Sequence, residues 1–141
     1  DLSDCLHITL NGVESTTVYD QLSKGSFEAV ILDWTGDFPD PIAYLAPLLS
    51  CTQINNNTCI KGEAVFSGSF WGDNKVQELL EKSEELDGES RLKNLIKVEQ
   101  LAAQGSSYLP IWLVNPKAWS LKDISQPEFS RDGLIILKNF F

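Results

Sequence analysis

Residues 27–41, FEAVILDWTGDFPDP, change character halfway along, and that change most limits what the chain can build. Ala29, Val30, Ile31 and Leu32 form a short β-prone apolar run without helical spacing. Such a run suits a strand covered on both faces in a parallel sheet. It stops at Asp33, and by Pro41 the chain has added Trp34, Gly36, Asp37, Pro39 and Asp40, a composition poor for packing and good for a rigid polar rim. Ligands of open α/β sheets sit beyond the carboxyl ends of strands, so a site is expected over residues 34–41.

Individual residues in this stretch have different expected roles. Asp40 and Pro41 suit the N-cap and first turn of a short helix over residues 42–49, which makes Asp40 structural rather than a ligand contact. Asp33 is expected to be solvated or paired with a nearby lysine. Gly36 leaves Asp37 accessible while Pro39 biases Phe38 toward an extended backbone, so Asp37 is a carboxylate on a preorganised loop. An indole at a strand's carboxyl end, here Trp34, is suited to a pocket wall.

The remainder reads as one α/β domain over residues 1–141. Leu6, His7, Ile8, Thr9 and Leu10 alternate in the manner of a strand. Ser15 is placed to cap a helix carrying Val18, Tyr19 and Leu22, with Gly25 as its stop, which makes a βαβ-like unit with the strand of residues 29–32. Residues 51–72 lack periodicity and read mostly as loop, with Ala64, Val65 and Phe66 a brief strand or anchor. Asp73 is expected to cap a helix with Val76, Leu79, Leu80 and Ser83 on one face. After Asp87-Gly88, a second helix carries Leu92, Leu95, Ile96, Ala102 and Ala103 up to Gly105. Paired, these two helices are expected to cover a sheet face. YLPIWLV at residues 108–114 is a strand pushed toward an edge by Pro110, and residues 134–137 are a last strand candidate.

Charge and cysteines narrow the function classes. Asp and Glu number 20 against 11 Lys and Arg, a net charge of −9 that disfavours nucleic acid or anionic lipid as the main partner. No apolar run approaches the ~20 residues that span a bilayer, so membrane insertion is not expected. Cys51 and Cys59 bracket a polar loop too widely for a CxxC metal or redox motif, and no histidine lies near to complete a metal site. A disulfide across that loop is expected, leaving Cys5 free and buried or partnered elsewhere; pairing of Cys5 with one of the other two is the alternative. There is no nucleophile near His7, no Walker-type glycine loop and no cofactor motif, so neither catalysis nor a cofactor is expected. Asn56-Asn57-Thr58 fits a glycosylation sequon, meaningful only in a eukaryotic secretory setting.

WTGDFPDP followed by Tyr44-Leu45 resembles the W-x-A-D-Y-P-D-P signature in the C-terminal lobe of the extracytoplasmic peptide-binding proteins of bacterial ABC importers, the oligopeptide/dipeptide-binding family. Phe70-Trp71, Asp73-Asn74, Arg91, Glu99-Gln100 and Leu109-Pro110-Ile111 follow in an order similar to that family's, so the resemblance spans roughly residues 6–113. It implies part of one lobe of a two-lobed periplasmic binding protein, a mixed sheet flanked by helices, and a non-catalytic role in delivering a captured solute to a separate permease. Asp37 then meets the α-ammonium group of a peptide, Trp34 lines a side-chain pocket with Gly36 and Phe38 beside it, and Trp71 either approaches the ligand or, as the alternative, anchors in the core. Gly36 stands where the family usually has Ala, and Phe38 where it has Tyr. The family's wider range makes nickel complexes, sugars or opines alternative ligands, and a hydrolase using two of Asp33, Asp37 and Asp40 as an acid/base pair is the alternative from another class. A chain that opens on Asp1 and contains no Met is expected to be a piece of a longer protein, with apolar surface left uncovered and a tendency to self-associate.

Overall fold

A computed structural model describes residues 7–115, 117–121, 127–130 and 133–136. Within them the chain is a mixed α/β structure of five helices and one two-stranded antiparallel sheet. The core lies between helices. Leu49, Val76, Leu79, Leu80 and Val98 are buried together, with Ile42, Leu45, Leu48, Trp71, Leu101, Ala102 and Tyr108 packed around them.

Helix α4 (Asn74–Glu85) and helix α5 (Gly88–Gly105) supply most of that core. α4 starts as expected: the Asp73 carboxylate accepts from the Lys75 and Val76 amides at 2.7 and 3.0 Å, satisfying donors that a helix start leaves unpaired. Its buried face is Val76, Leu79, Leu80 and Ser83, the face read from the sequence. On its outer surface Lys75 and Lys82 both donate to Glu78, whose pKa is lowered to about 2 by those hydrogen bonds. α5 buries Leu95 and packs Ala102 against the core as expected, but it also buries Val98 and leaves Leu92 and Ile96 exposed, so its core face matches the expected one only in part. The two helices cover helix α2 (Ile42–Leu49) rather than a sheet.

The expected parallel sheet does not form among the described residues. Residues 7–10, 29–32 and 108–114 belong to no strand, and Ile8, Ile31 and Leu113 are exposed. A strand needs a neighbour to satisfy its backbone groups, and none of these segments has a strand partner among the described residues. Consequently the βαβ-like unit is absent, and helix α1 (Ser15–Leu22) buries only Leu22. The Glu14 carbonyl opens α1 in place of the anticipated Ser15 cap, accepting from the Thr17 and Val18 amides. The stop at Gly25 agrees with the reading: it lies at φ +60° and donates to the Leu22 carbonyl at 3.0 Å.

The strands form where a loop was expected. β1 (Gln53–Asn55) pairs with β2 (Thr58–Lys61) through a two-residue turn in which Asn56 and Asn57 lie at φ 47° and 62°. Both being positive is the signature of a primed hairpin turn, which asparagine tolerates better than most residues. The expected Cys51–Cys59 disulfide closes this hairpin, and its sulfurs are buried with Ala64 of the one-turn helix α3 (Glu63–Phe66). Thr58 also bridges to Trp71, so the hairpin leads directly into the start of α4. Near the C-terminal end, the candidate strand contributes an isolated bridge from Ile135 to Phe129; Leu137, like Cys5, Leu6, Phe140 and Phe141, lies outside the described residues.

Candidate functional site

The loop of residues 33–41 is held from both ends by specific contacts. Pro47 sits inside α2 and has no N–H, so the carbonyl of Ala43, four residues earlier, loses its usual helical partner. The indole Nε1–H of Trp34 takes that place, donating to the Ala43 carbonyl oxygen at 2.9 Å. This fixes the indole across the start of α2 while leaving the ring partly exposed.

Asp40 holds the other end. Its Oδ1 accepts from the Ile42 amide at 2.9 Å, the capping role expected of it. The same carboxylate receives two hydrogen bonds from Arg91 of α5, Nη1 to Oδ2 at 2.9 Å and Nη2 to Oδ1 at 2.8 Å, while Arg91 Nε donates to the Ser83 carbonyl. The guanidinium hydrogen bonds hold the Asp40 carboxyl below the usual carboxylate range, with the Ile42 amide adding to the effect. Asp40 is thus a structural anion.

Between these anchors lie Gly36, Asp37 and Phe38. Gly36 is buried, and a Cβ there would stand 2.7 Å from Cε2 of Tyr44 and 3.2 Å from Cβ of Ala43. Its lack of a side chain lets the loop lie directly on α2. Asp37 is exposed and makes no hydrogen bond or ion pair with any described residue; Phe38 is half-exposed beside it. Trp71 has a different setting. It packs against the helical core, and its indole fills the space a side chain at Gly105 would need, 2.5 Å from where that Cβ would stand.

A cavity of about 270 Å³ opens between α1, α2, α3 and Tyr108. Trp34 and Asp33 line it; Gly36, Asp37, Phe38 and Trp71 do not. Trp34 thus stands on a pocket wall as the sequence suggested and Trp71 takes the core position that was its alternative, while Gly36, Asp37 and Phe38 share the loop of Trp34 but not the cavity. Tyr19, Asp33 and Tyr108 were missed as a group because they come from segments far apart in the chain. Among the described residues Asp33 is not paired with a lysine: Oδ1 accepts from the Tyr19 hydroxyl at 3.1 Å, and that bond together with the nearby negative charge raises the tyrosine's pKa.

No cluster of three or more His, Cys, Asp or Glu side chains suited to a metal occurs among the described residues. Among the same residues no helix is long and apolar enough to cross a membrane. Comparison of the chain with known protein families, with curated proteins and with solved structures finds no match.

Proposed function

We propose that the chain is a non-catalytic solute-binding segment that captures a peptide by its amino end for delivery to a bacterial ABC permease from the periplasmic or extracytoplasmic side. The observation carrying this reading is Asp37, an exposed carboxylate without a partner among the described residues, on a loop pinned by Trp34 on one side and by Asp40 on the other. An anion held ready by a rigid support meets a cation with little reorganisation. The motif WTGDFPDP, through its family resemblance, makes that cation an α-ammonium group and supplies the importer setting. The Cys51–Cys59 disulfide fits an oxidising compartment. Asp40, already committed to Arg91 and the helix start, does not offer a proton-donating partner to Asp37, which favours binding over two-carboxylate hydrolysis.

An ammonium–carboxylate pair at ~4 Å is worth about 1 kcal/mol in water and about 4 kcal/mol at an effective dielectric of ~20. The contact therefore becomes strong when a second lobe closes over it, and the open segment alone is expected to bind weakly. Replacing Asp37→Asn in the full-length polypeptide should weaken free-amino peptides by more than tenfold while leaving N-acetylated peptides nearly unchanged, as read by titration calorimetry. Equal losses for the two peptide series would show that Asp37 does not read the ammonium group.

A further inference from the structure

We infer that the cavity between α1, α2, α3 and Tyr108 is a binding site in its own right, for a small organic ammonium ion with an apolar, ring-sized body. The inference does not depend on Asp37, which lies outside the cavity lining. Leu22, Leu48 and Phe66 supply apolar wall, and Asp33 and Glu63 are its charged side chains, with no lysine, arginine or histidine among the described lining residues. Two carboxylates beside low-dielectric walls concentrate a negative field, which admits cations and repels anions.

The other polar side chains of the lining are already engaged. The Tyr108 hydroxyl donates to Ser67 Oγ at 2.8 Å, Ser67 Oγ lies 3.3 Å from the Leu48 carbonyl, and the Trp34 N–H is on Ala43. Tyr19 donates to Oδ1 of Asp33 and so orients the carboxylate, leaving Oδ2 without a partner among the described residues. Glu63 makes no side-chain hydrogen bond among the described residues either. The recognition capacity that remains is therefore acceptor-only and anionic, which matches an ammonium group and its donors. At about 270 Å³ the space falls just below the ~300–1,000 Å³ of sites for drug-sized ligands, which favours a single-ring amine.

The test is titration of the 141-residue chain with phenethylamine, phenethyl alcohol and 3-phenylpropionate, followed by two-dimensional NMR at fixed protein concentration. Saturable one-to-one binding of the amine is expected, with shifts concentrated at Tyr19, Leu22, Asp33 and Ser67 and no comparable binding of the alcohol or the carboxylate. Asp33→Asn should weaken the amine about tenfold, as expected for loss of one charge-assisted contact, and Glu63→Gln should weaken it by a smaller factor. Glu28→Gln, an exposed carboxylate outside the cavity, should leave it unchanged, and circular dichroism confirms that each variant is folded. Equal affinity for all three probes, an Asp33→Asn protein that is folded and binds normally, or absence of saturation would overturn the assignment. Shifts in this region that appear in a separate amine-free dilution series would overturn it too, placing a second copy of the chain there instead.

Discussion

Arg91 reaches across 51 residues of sequence to grip Asp40 with two parallel hydrogen bonds, joining the first turn of α5 to the residue that precedes and caps α2. The two side chains are 26% and 30% exposed, so solvent screens the pair in part and its own worth is about 1 kcal/mol. Arg91→Leu should therefore destabilise the chain by about 1 kcal/mol in urea unfolding at pH 7, with Arg91→Lys recovering only part because an ammonium cannot reproduce the planar fork. Arg91 lowers the folded-state pKa of Asp40, so this stabilisation is complete above the unfolded value, about 3.9, and disappears as pH falls through the lower folded value. The gap between wild type and Arg91→Leu should persist from pH 7 to about 5 and close as pH falls below the unfolded value and through the lowered folded one; a gap that stays constant would remove the ion pair as its cause. Half of this arrangement was legible in advance. Asp-Pro before an apolar run announces a helix cap through local geometry, whereas nothing near Arg91 in sequence indicates which carboxylate it will meet.

At the level of elements, α2 works as a platform because it contains a proline that a helix would normally avoid. Pro47 removes a backbone donor, the Ala43 carbonyl is left over, and Trp34 supplies the missing N–H. Trp34→Phe should cost about 1–2 kcal/mol through that carbonyl and the lost ring contacts. Pro47→Ala returns a helical donor to Ala43, so in the Trp34→Phe background it should recover more stability than it adds to wild type. A double-mutant cycle by chemical denaturation reads this coupling, and strict additivity would show that the two residues do not share the carbonyl. The helices α2 and α4 were readable because capping and 3.6-residue periodicity are local. The hairpin was not, since its signal, two asparagines at positive φ, lay inside a polar run that also reads as loop. Its strands are held by the disulfide and by contact with Trp71 rather than by apolar alternation.

Across the whole molecule, apolar surface exceeds what one helical core can cover. Leu109 is 85% and Leu113 97% exposed, and Ile111, Trp112 and Val114 between and beside them are exposed as well. A β-prone segment of this kind, with no strand partner among the described residues, is a template for another chain. Sedimentation velocity should show association that grows with concentration, and Trp112→Lys combined with Leu113→Lys should shift the population toward monomer; a strictly monomeric wild type at high concentration would contradict this. These same residues explain where the sequence reading of the fold failed. Apolar alternation at residues 6–10 and β-prone runs at residues 29–32 and 108–114 express a preference for extended backbone, but a sheet also needs partners at hydrogen-bonding distance, and a preference cannot supply them. What the sequence determined by itself was everything set within a few residues: the capped starts of α2 and α4, the stop at Gly25, the buried face of α4 and the exposed acid on the Gly-Asp-Phe-Pro loop. Only tertiary structure decided that Arg91 closes on Asp40, that Trp34 completes the Ala43 carbonyl, and that Asp33 rather than Asp37 lines a cavity. Those outcomes depend on packing between segments tens of residues apart, where chain entropy and burial outweigh local preference.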